Sequence, residues 1–435
     1  MRLRSLMIFV LLSAMVAAGT AFGAGQAEGT ADDGIQPDVV VPIEGSISLW
    51  GGGHLTNTTE TVMADFLEAN PDLDVAFEKY PFTEYPVKMR LALGAGDSDP
   101  DIMIIHNHWI REFIEAGWLA DLSSVLPTDE LTTEVLHAVS GSNGEVYGVP
   151  FETESISFYY RQDVFDELGL EPPTTLQEYI QVGQVLRDNG YWAGSYDTNT
   201  GDNNRFTRWL AASGGDYYNE DYEVILDTPE GKGVQTLEAI ADLVDAGILW
   251  DGAVWSQEYW SLVNEGQIAA NMGGNYAAKY HEWNMDPEGD GGYGNWRQTL
   301  PPRLLDSSPV TGRPGGTFMV ISANSENKQL AWEIIKYLKL TVEGSRKYAE
   351  VDNVLDGYLP GLRSLEEDSR AWELFGGQRV SSDTAEIMLE HRPKLLYSAS
   401  GIWEAYSTTE NEIARFFAGE LSADEAIANA ADRMR

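Results

Sequence analysis

Between Gly45 and Ile105 the chain alternates two kinds of segment, joined by connections of a few residues. Gly45-Ser-Ile-Ser-Leu-Trp50 alternates apolar and polar residues and is read as a strand that ends in Gly51-Gly-Gly-His54. Thr59–Ala69 places Val62, Met63, Phe66 and Leu67 on one helical stripe, closed by Asn70-Pro71. Asp74–Phe77 is a second strand. Pro86–Leu93 is a second helix, stopped by Gly94-Ala-Gly96. Ile102–Ile105 is apolar at every position, as a strand buried on both faces requires. Strand–helix–strand–helix–strand with short connections implies an open, mainly parallel α/β sheet. Such sheets bind ligands outside the carboxyl ends of their strands. Trp50, His54, Glu84, His106, His108 and Trp109 fall at or near those ends and are candidate binding residues.

The second constraint is Val146–Tyr160, VYGVPFETESISFYY. Two β-rich runs flank a polar kink, Glu152-Thr-Glu-Ser155. The chain has 435 residues, too long for one core, so two domains are expected. The kink is read as a crossover between them, with Glu152 facing the ligand. After it come further alternating elements: a polar stretch containing Asp197 and Asn199, an aromatic helix start at Trp255-Ser-Gln-Glu258-Tyr-Trp260, and Gly273-Gly-Asn275-Tyr276 opening a helix. Gly315–Ser322 is a second crossover strand. Helical patterns fill the rest, with Trp403 before the last two helices.

The charge excludes several functions. Acids outnumber bases 69 to 28, giving a net charge of -41. Nucleic-acid or anionic-membrane binding needs the opposite sign. Cysteine is absent, which removes disulfides, thiolate metal sites and thiol nucleophiles. Met1-Arg-Leu-Arg4, the apolar run Leu6–Ala18 and Ala21-Phe-Gly23 read as a secretory signal peptide cleaved near Gly23. Residues 24–42 read as a flexible leader. A soluble periplasmic product is expected.

The order of these motifs resembles the extracellular solute-binding proteins of ABC importers, in the sugar-binding family. The residues that carry the resemblance are Ile47–Gly53, Tyr85–Ala95 with Asp99-Pro-Asp-Ile102, Val146–Pro150, and Phe158-Tyr-Tyr-Arg161. They continue with Gly169-Leu-Glu-Pro-Pro-Thr-Thr175, Gly266–Met272, Gly315–Ser322 and Ala331–Lys336. Leu176 stands where the family usually has Trp. Many relatives carry a lipid-anchor cysteine, which this chain lacks. The resemblance implies two α/β lobes, each an open mainly parallel sheet, closing by hinge motion on a ligand in the cleft between them. Its lobes are expected at 43–152 with 316–365, and at 153–315 with 366–435. It further implies a non-enzymatic monomer, with a sugar as ligand and a membrane permease as partner.

A sugar presents hydroxyls at its rim and C–H faces above and below, so its site needs hydrogen-bonding carboxylates and amides beside flat rings. Trp50, Trp109, Trp255, Trp260, Tyr276 and Trp403 supply rings; Glu84, Glu152, Asp197, Asn199, Glu258 and Asn275 supply polar groups; Gly315 lies at the second crossover. Carboxylates among rings also suit a polyamine or another cationic solute. A secreted glycoside hydrolase using Glu152 and Glu258 is a further alternative. No cofactor or metal is expected. His106-x-His108 lacks a third ligand nearby, and Asp286-x-Glu288-x-Asp290-Gly has Arg297 where a calcium loop needs its bidentate Glu.

Overall fold

The structure is a computed structural model that describes residues 35–82, 84–199 and 205–435. In chain order its elements are β1 (Gly45–Gly52), α1 (Gly53–Ala69), β2 (Leu73–Tyr80), α2 (Tyr85–Ala95), β3 (Ile102–His106), α3 (Asn107–Glu115), α4 (Leu136–Val139), β4 (Val149–Thr153) and β5 (Ile156–Arg161). There follow α5 (Gln162–Leu168), α6 (Leu176–Asp188), α7 (Arg205–Ser213), α8 (Gly233–Asp245), α9 (Gln257–Asn264), β6 (Ala270–Gly274), α10 (Ala277–Asn284), β7 (Trp296–Thr299) and β8 (Gly316–Ile321). Six helices close the chain: α11 (Lys328–Lys339), α12 (Val342–Asp352), α13 (Leu359–Glu367), α14 (Val380–His391), α15 (Ile402–Phe417) and α16 (Ala423–Met434). The signal expectation and residues 24–34 of the expected leader lie outside the described residues; residues 35–42 form turns and irregular backbone with no helix or strand.

Two sheets organise these elements. The first has the order β2-β1-β3-β8-β4. β1 runs parallel to β2 and β3, as the alternation predicts; β8 pairs antiparallel with both β3 and β4. The second has the order β6-β5-β7, and both pairings are antiparallel. That corrects the expectation of a mainly parallel sheet in each lobe. A short apolar run reads the same in either direction, so its period cannot fix strand polarity. Among the described residues, parallel pairing in this half occurs as single bridges, among them Thr175 with Arg303, Trp192 with Ile268 and Ser195 with Trp250.

Each sheet has its own core. Ile102–Ile105, Met319–Ile321, Val149 and Phe151 are closed by Leu55, Met63, Phe113 and Ile335 in the first. Ile156, Phe158, Phe206, Leu237 and Ile240 pack with Tyr406, Ile413 and Ile427 in the second. A third cluster sets Tyr159, Tyr259 and Trp296 against Trp372 and Phe375. A fourth joins α12 and α13 to α14 through Ala349, Leu362, Leu365, Ala385 and Met388, with Leu355 of the intervening loop.

Two helix starts differ from the sequence reading. α1 begins at Gly53, not near Thr59. Thr56, Thr58 and Thr59 donate their hydroxyls to the carbonyls of Gly52, His54 and Leu55, which holds the early turns together. α8 begins at Gly233, not Thr228, because Lys232 before it is left-handed with φ of 55°.

β4 passes into β5 through Glu154-Ser155. The return passage runs alongside: Ile156 N–H donates to Gly312 O at 3.0 Å, and Glu152 and Thr153 pair with Thr317 and Gly316. Leu396 N–H donates to Arg313 O at 3.3 Å, so a third segment joins the passage. A Cβ on Gly316 would lie 2.9 Å from Glu152 O, and one on Gly315 would lie 3.1 Å from the Glu154 carboxylate. Only glycine lets the two crossovers approach so closely.

Candidate functional site

The crossover carries two carboxylates. Glu152 and Glu154 are two residues apart, the spacing that puts side chains of an extended segment on one face. Glu152 is 5% exposed. Among the described residues neither side chain accepts a hydrogen bond or makes an ion pair. Burial, then the charges of Glu154 and Asp352, push the Glu152 carboxyl up to about 8, against the nearby Lys339. Burial raises Glu154 to about 7, opposed by Arg208 and Arg313. Asp352, the last residue of α12, is raised to about 6 by burial and accepts the Thr58 hydroxyl at 2.5 Å. These three acids converge on Tyr280 of α10. Burial, and then the charges of Glu152, Asp352 and Glu154, push its phenol up to about 12.

Rings from both halves stand around this floor. His54 of α1 lies 6.1 Å from Tyr280 and 6.4 Å from Trp283, centroid to centroid. Trp255 lies 5.2 Å from Tyr280 and 6.2 Å from Tyr276. Its φ of 71° is left-handed, a strained conformation for a bulky residue and one that tends to collect at binding sites. A second group lies across His106: Phe82 is within 5.5 Å of His106, Trp109 and Trp403. His108 is 5.4 Å from both Trp403 and Tyr406. His106 of β3 and Glu152 of β4 both pair with Thr317 of β8, which sets this second ring group beside the crossover. Burial lowers His54 and His108 to about 4, leaving them neutral at neutral pH.

The structure therefore brings Glu152, His54, Tyr276, Trp255, His106, His108, Trp109, Trp403 and Gly315 into one neighbourhood. Within it Trp109 is a core residue, 3% exposed. The Trp50 ring lies 5.2 Å from that of Tyr80, tilted by 54°, and its carbonyl accepts the Tyr85 hydroxyl at 2.7 Å. Glu84 is exposed before α2. Asp197 pairs with Arg205 at 3.5 Å and accepts Asn199 N–H at 2.9 Å; Asp197 and Arg205 line a cavity of about 30 Å³ with Arg208 and Asn271. Trp260 is a buried member of the third cluster. Glu258 is exposed in the first turn of α9, where its charge complements the helix dipole. A cavity of about 710 Å³, walled by Asp216, Tyr218, Glu230, Lys394 and Tyr397, holds none of the expected site residues.

Asn275 also ties the crossover in place, while its side-chain Nδ2 is buried without a hydrogen-bond partner. Its backbone N–H is not free to meet a ligand: it donates to Ser155 O at 3.0 Å. Its Oδ1 accepts Ser155 N–H at 3.1 Å, and its carbonyl accepts Asn353 Nδ2 at 2.9 Å. Asn275 staples the crossover to α12 and, through Ser381 on Asn353, to α14. Asp352, Glu154, Tyr280 and Phe82 were missed as site residues. Only Glu154 left a signal, its two-residue spacing from Glu152; Asp352 is 200 positions away, and nothing local ties it to the crossover.

The sequence profile of the bacterial extracellular solute-binding proteins matches residues 61–374. The chain belongs to that family. Among relatives of this solute-binding protein, the maltotriose-binding protein of Pyrococcus abyssi is 25% identical over 322 residues, 71% of this chain and 64% of that one. The arabinooligosaccharide-binding protein of Halalkalibacterium halodurans is 25% identical over 321 residues, 70% of each chain. The matched region is thus somewhat under two thirds of the Pyrococcus protein's length. The GacH receptor of Streptomyces glaucescens, solved unliganded and with acarbose, superposes with a TM-score of 0.73 at 19% identity, over 90% of this chain and 97% of that one. The fold of this solute-binding protein is the two-lobed periplasmic-binding-protein fold, mixed α/β with open sheets.

Proposed function

We propose that this solute-binding protein captures a carbohydrate, a mono- or oligosaccharide, between its two sheets and delivers it to an ABC importer. The observation that carries the proposal is the convergence of unpartnered carboxylates and ring faces from both halves at the crossover. Hydroxyls supply the donors that Glu152 and Glu154 lack, and rings receive the apolar faces of the sugar. Relatives named for maltotriose and arabinooligosaccharides support the same class. Binding proceeds without catalysis, by rotation of the two halves about 153–156 and 312–316. The protein works outside the cytoplasm as a periplasmic monomer, its leader removed near Gly23, and meets the permease in its closed form.

A thermal-shift screen of sugars tests this. A sugar at about 100 times its Kd adds about 2.7 kcal/mol to stability. The same sugar is expected to reduce the radius of gyration in solution scattering, and Glu152→Ala is expected to abolish that change. If no mono- or oligosaccharide stabilises the protein, the proposal fails.

A further inference from the structure

Glu152 and Asp352 are buried acids, and among the described residues neither has a paired cation. Each has a lysine within electrostatic reach, but both lysines are committed elsewhere. Lys339 is fully buried, paired to Asp356 at 3.3 Å and lying 3.8 Å from the centroid of Tyr348. Lys279 is paired to Glu282 at 2.7 Å. The charges of Arg208 and Arg313 act on Glu154. His54, the remaining basic group over Tyr280, is held neutral by burial. Thr58 gives Asp352 one neutral hydrogen bond. Glu152 receives none, although it is 95% shielded from solvent by its exposure of 5%. A hydroxyl donates a hydrogen bond but brings no charge. Buried carboxylates need a cation or a proton as well. The ring of Tyr280, flanked by Trp255 and Tyr276, offers a cation the electron-rich face it prefers.

We propose that the ligand is an amino sugar, whose protonated amino group sits between Glu152 and Asp352 against the Tyr280 ring. Glu154, already faced by Arg208 and Arg313, accepts hydroxyls of the same molecule. The proposal rests on the carbohydrate reading above and narrows it.

The test is calorimetric titration of the purified protein with three oligosaccharide series of equal length and linkage. They are β-1,4-linked glucosamine oligomers, their N-acetylated counterparts and cellooligosaccharides, which differ at one substituent: amino, acetamido or hydroxyl. Glucosamine, galactosamine, glucose and galactose cover monosaccharides, and putrescine and spermidine serve as amines without a sugar. The amino series is expected to bind about tenfold or more tightly than its hydroxyl counterpart, the effect of a charge-assisted contact in a desolvated site. Glu152→Gln and, independently, Asp352→Asn are expected to shrink that ratio. If hydroxyl or acetamido sugars bind as tightly as amino sugars, the amino-sugar proposal is overturned and the carbohydrate reading stands. If only the amines without a sugar bind, both fall; if nothing in the panel binds, the amino-sugar proposal is overturned and the broader sugar screen above decides the carbohydrate reading. The wild-type ratios decide the matter even where a variant fails to fold.

Discussion

Glu152 is an acid whose proton the folded state holds more tightly than the unfolded chain does. The sign of its pH dependence follows. Below the ordinary carboxyl range both states are protonated. Between that range and about 8, the unfolded chain has lost the proton and the folded one keeps it, so stability falls as pH rises. Glu154, raised to about 7, and Asp352, raised to about 6, act in the same direction. Glu152→Gln is therefore expected to raise the melting temperature of the ligand-free protein at pH 8 by about 2–5 °C, with the gain vanishing near pH 5. A scan over that window checks it, and a variant less stable than wild type at pH 8 would contradict it. The proposed ligand donors favour ionised carboxylates, so binding is expected to release protons from these acids. Sequence alternation made Glu152 conspicuous but could not show this. The shift comes from burial and from Asp352, which only folding brings near.

At the scale of elements, the crossover is fixed by backbone contacts more than by side-chain packing. Asn275 carries three of its hydrogen bonds, two to Ser155 and one from Asn353. Asn275→Ala leaves the buried Ser155 N–H without its partner, at a cost of about 1–3 kcal/mol. Urea denaturation measures this, and an unchanged midpoint would show that the staple is dispensable. Gly316→Ala places a Cβ against Glu152 O at 2.9 Å, in backbone that cannot yield without parting β4 from β8. Its expected effect is weaker ligand binding together with lower stability, read by titration and melting. The Gly-Gly pair was legible as the start of a strand, whereas its role in close approach required the partner strand to be seen. Strand polarity in the second sheet was hidden for a related reason: hydrophobic period reports burial, and pairing direction depends on where the chain returns.

Across the whole molecule the acidity is a fact about self-repulsion. With a net charge of -41, added salt screens like charges and is expected to raise the melting temperature between low ionic strength and about 1 M, where the screening length falls to about 3 Å. A melting temperature that falls with sodium chloride would show that ion pairs such as Arg205 with Glu410 outweigh the repulsion. The two halves also touch away from the carboxylate floor: Asn107 donates to Ser398 at 3.1 Å, Ser400 to Glu115 at 2.6 Å, and Arg111 to the Tyr222 hydroxyl. The sequence by itself determined the alternating α/β order of the first sheet, a strand at 315–322 and a net charge that turns nucleic acid away. Periodicity, turn residues and net charge are local or summed properties, and a linear chain displays them. The tertiary structure alone decided that Glu152, Glu154, Asp352 and Tyr280 come within electrostatic reach of one another, that Asn275 is a staple, and that the second sheet is antiparallel. These depend on which distant segments the cores draw together, and on the dielectric their burial creates.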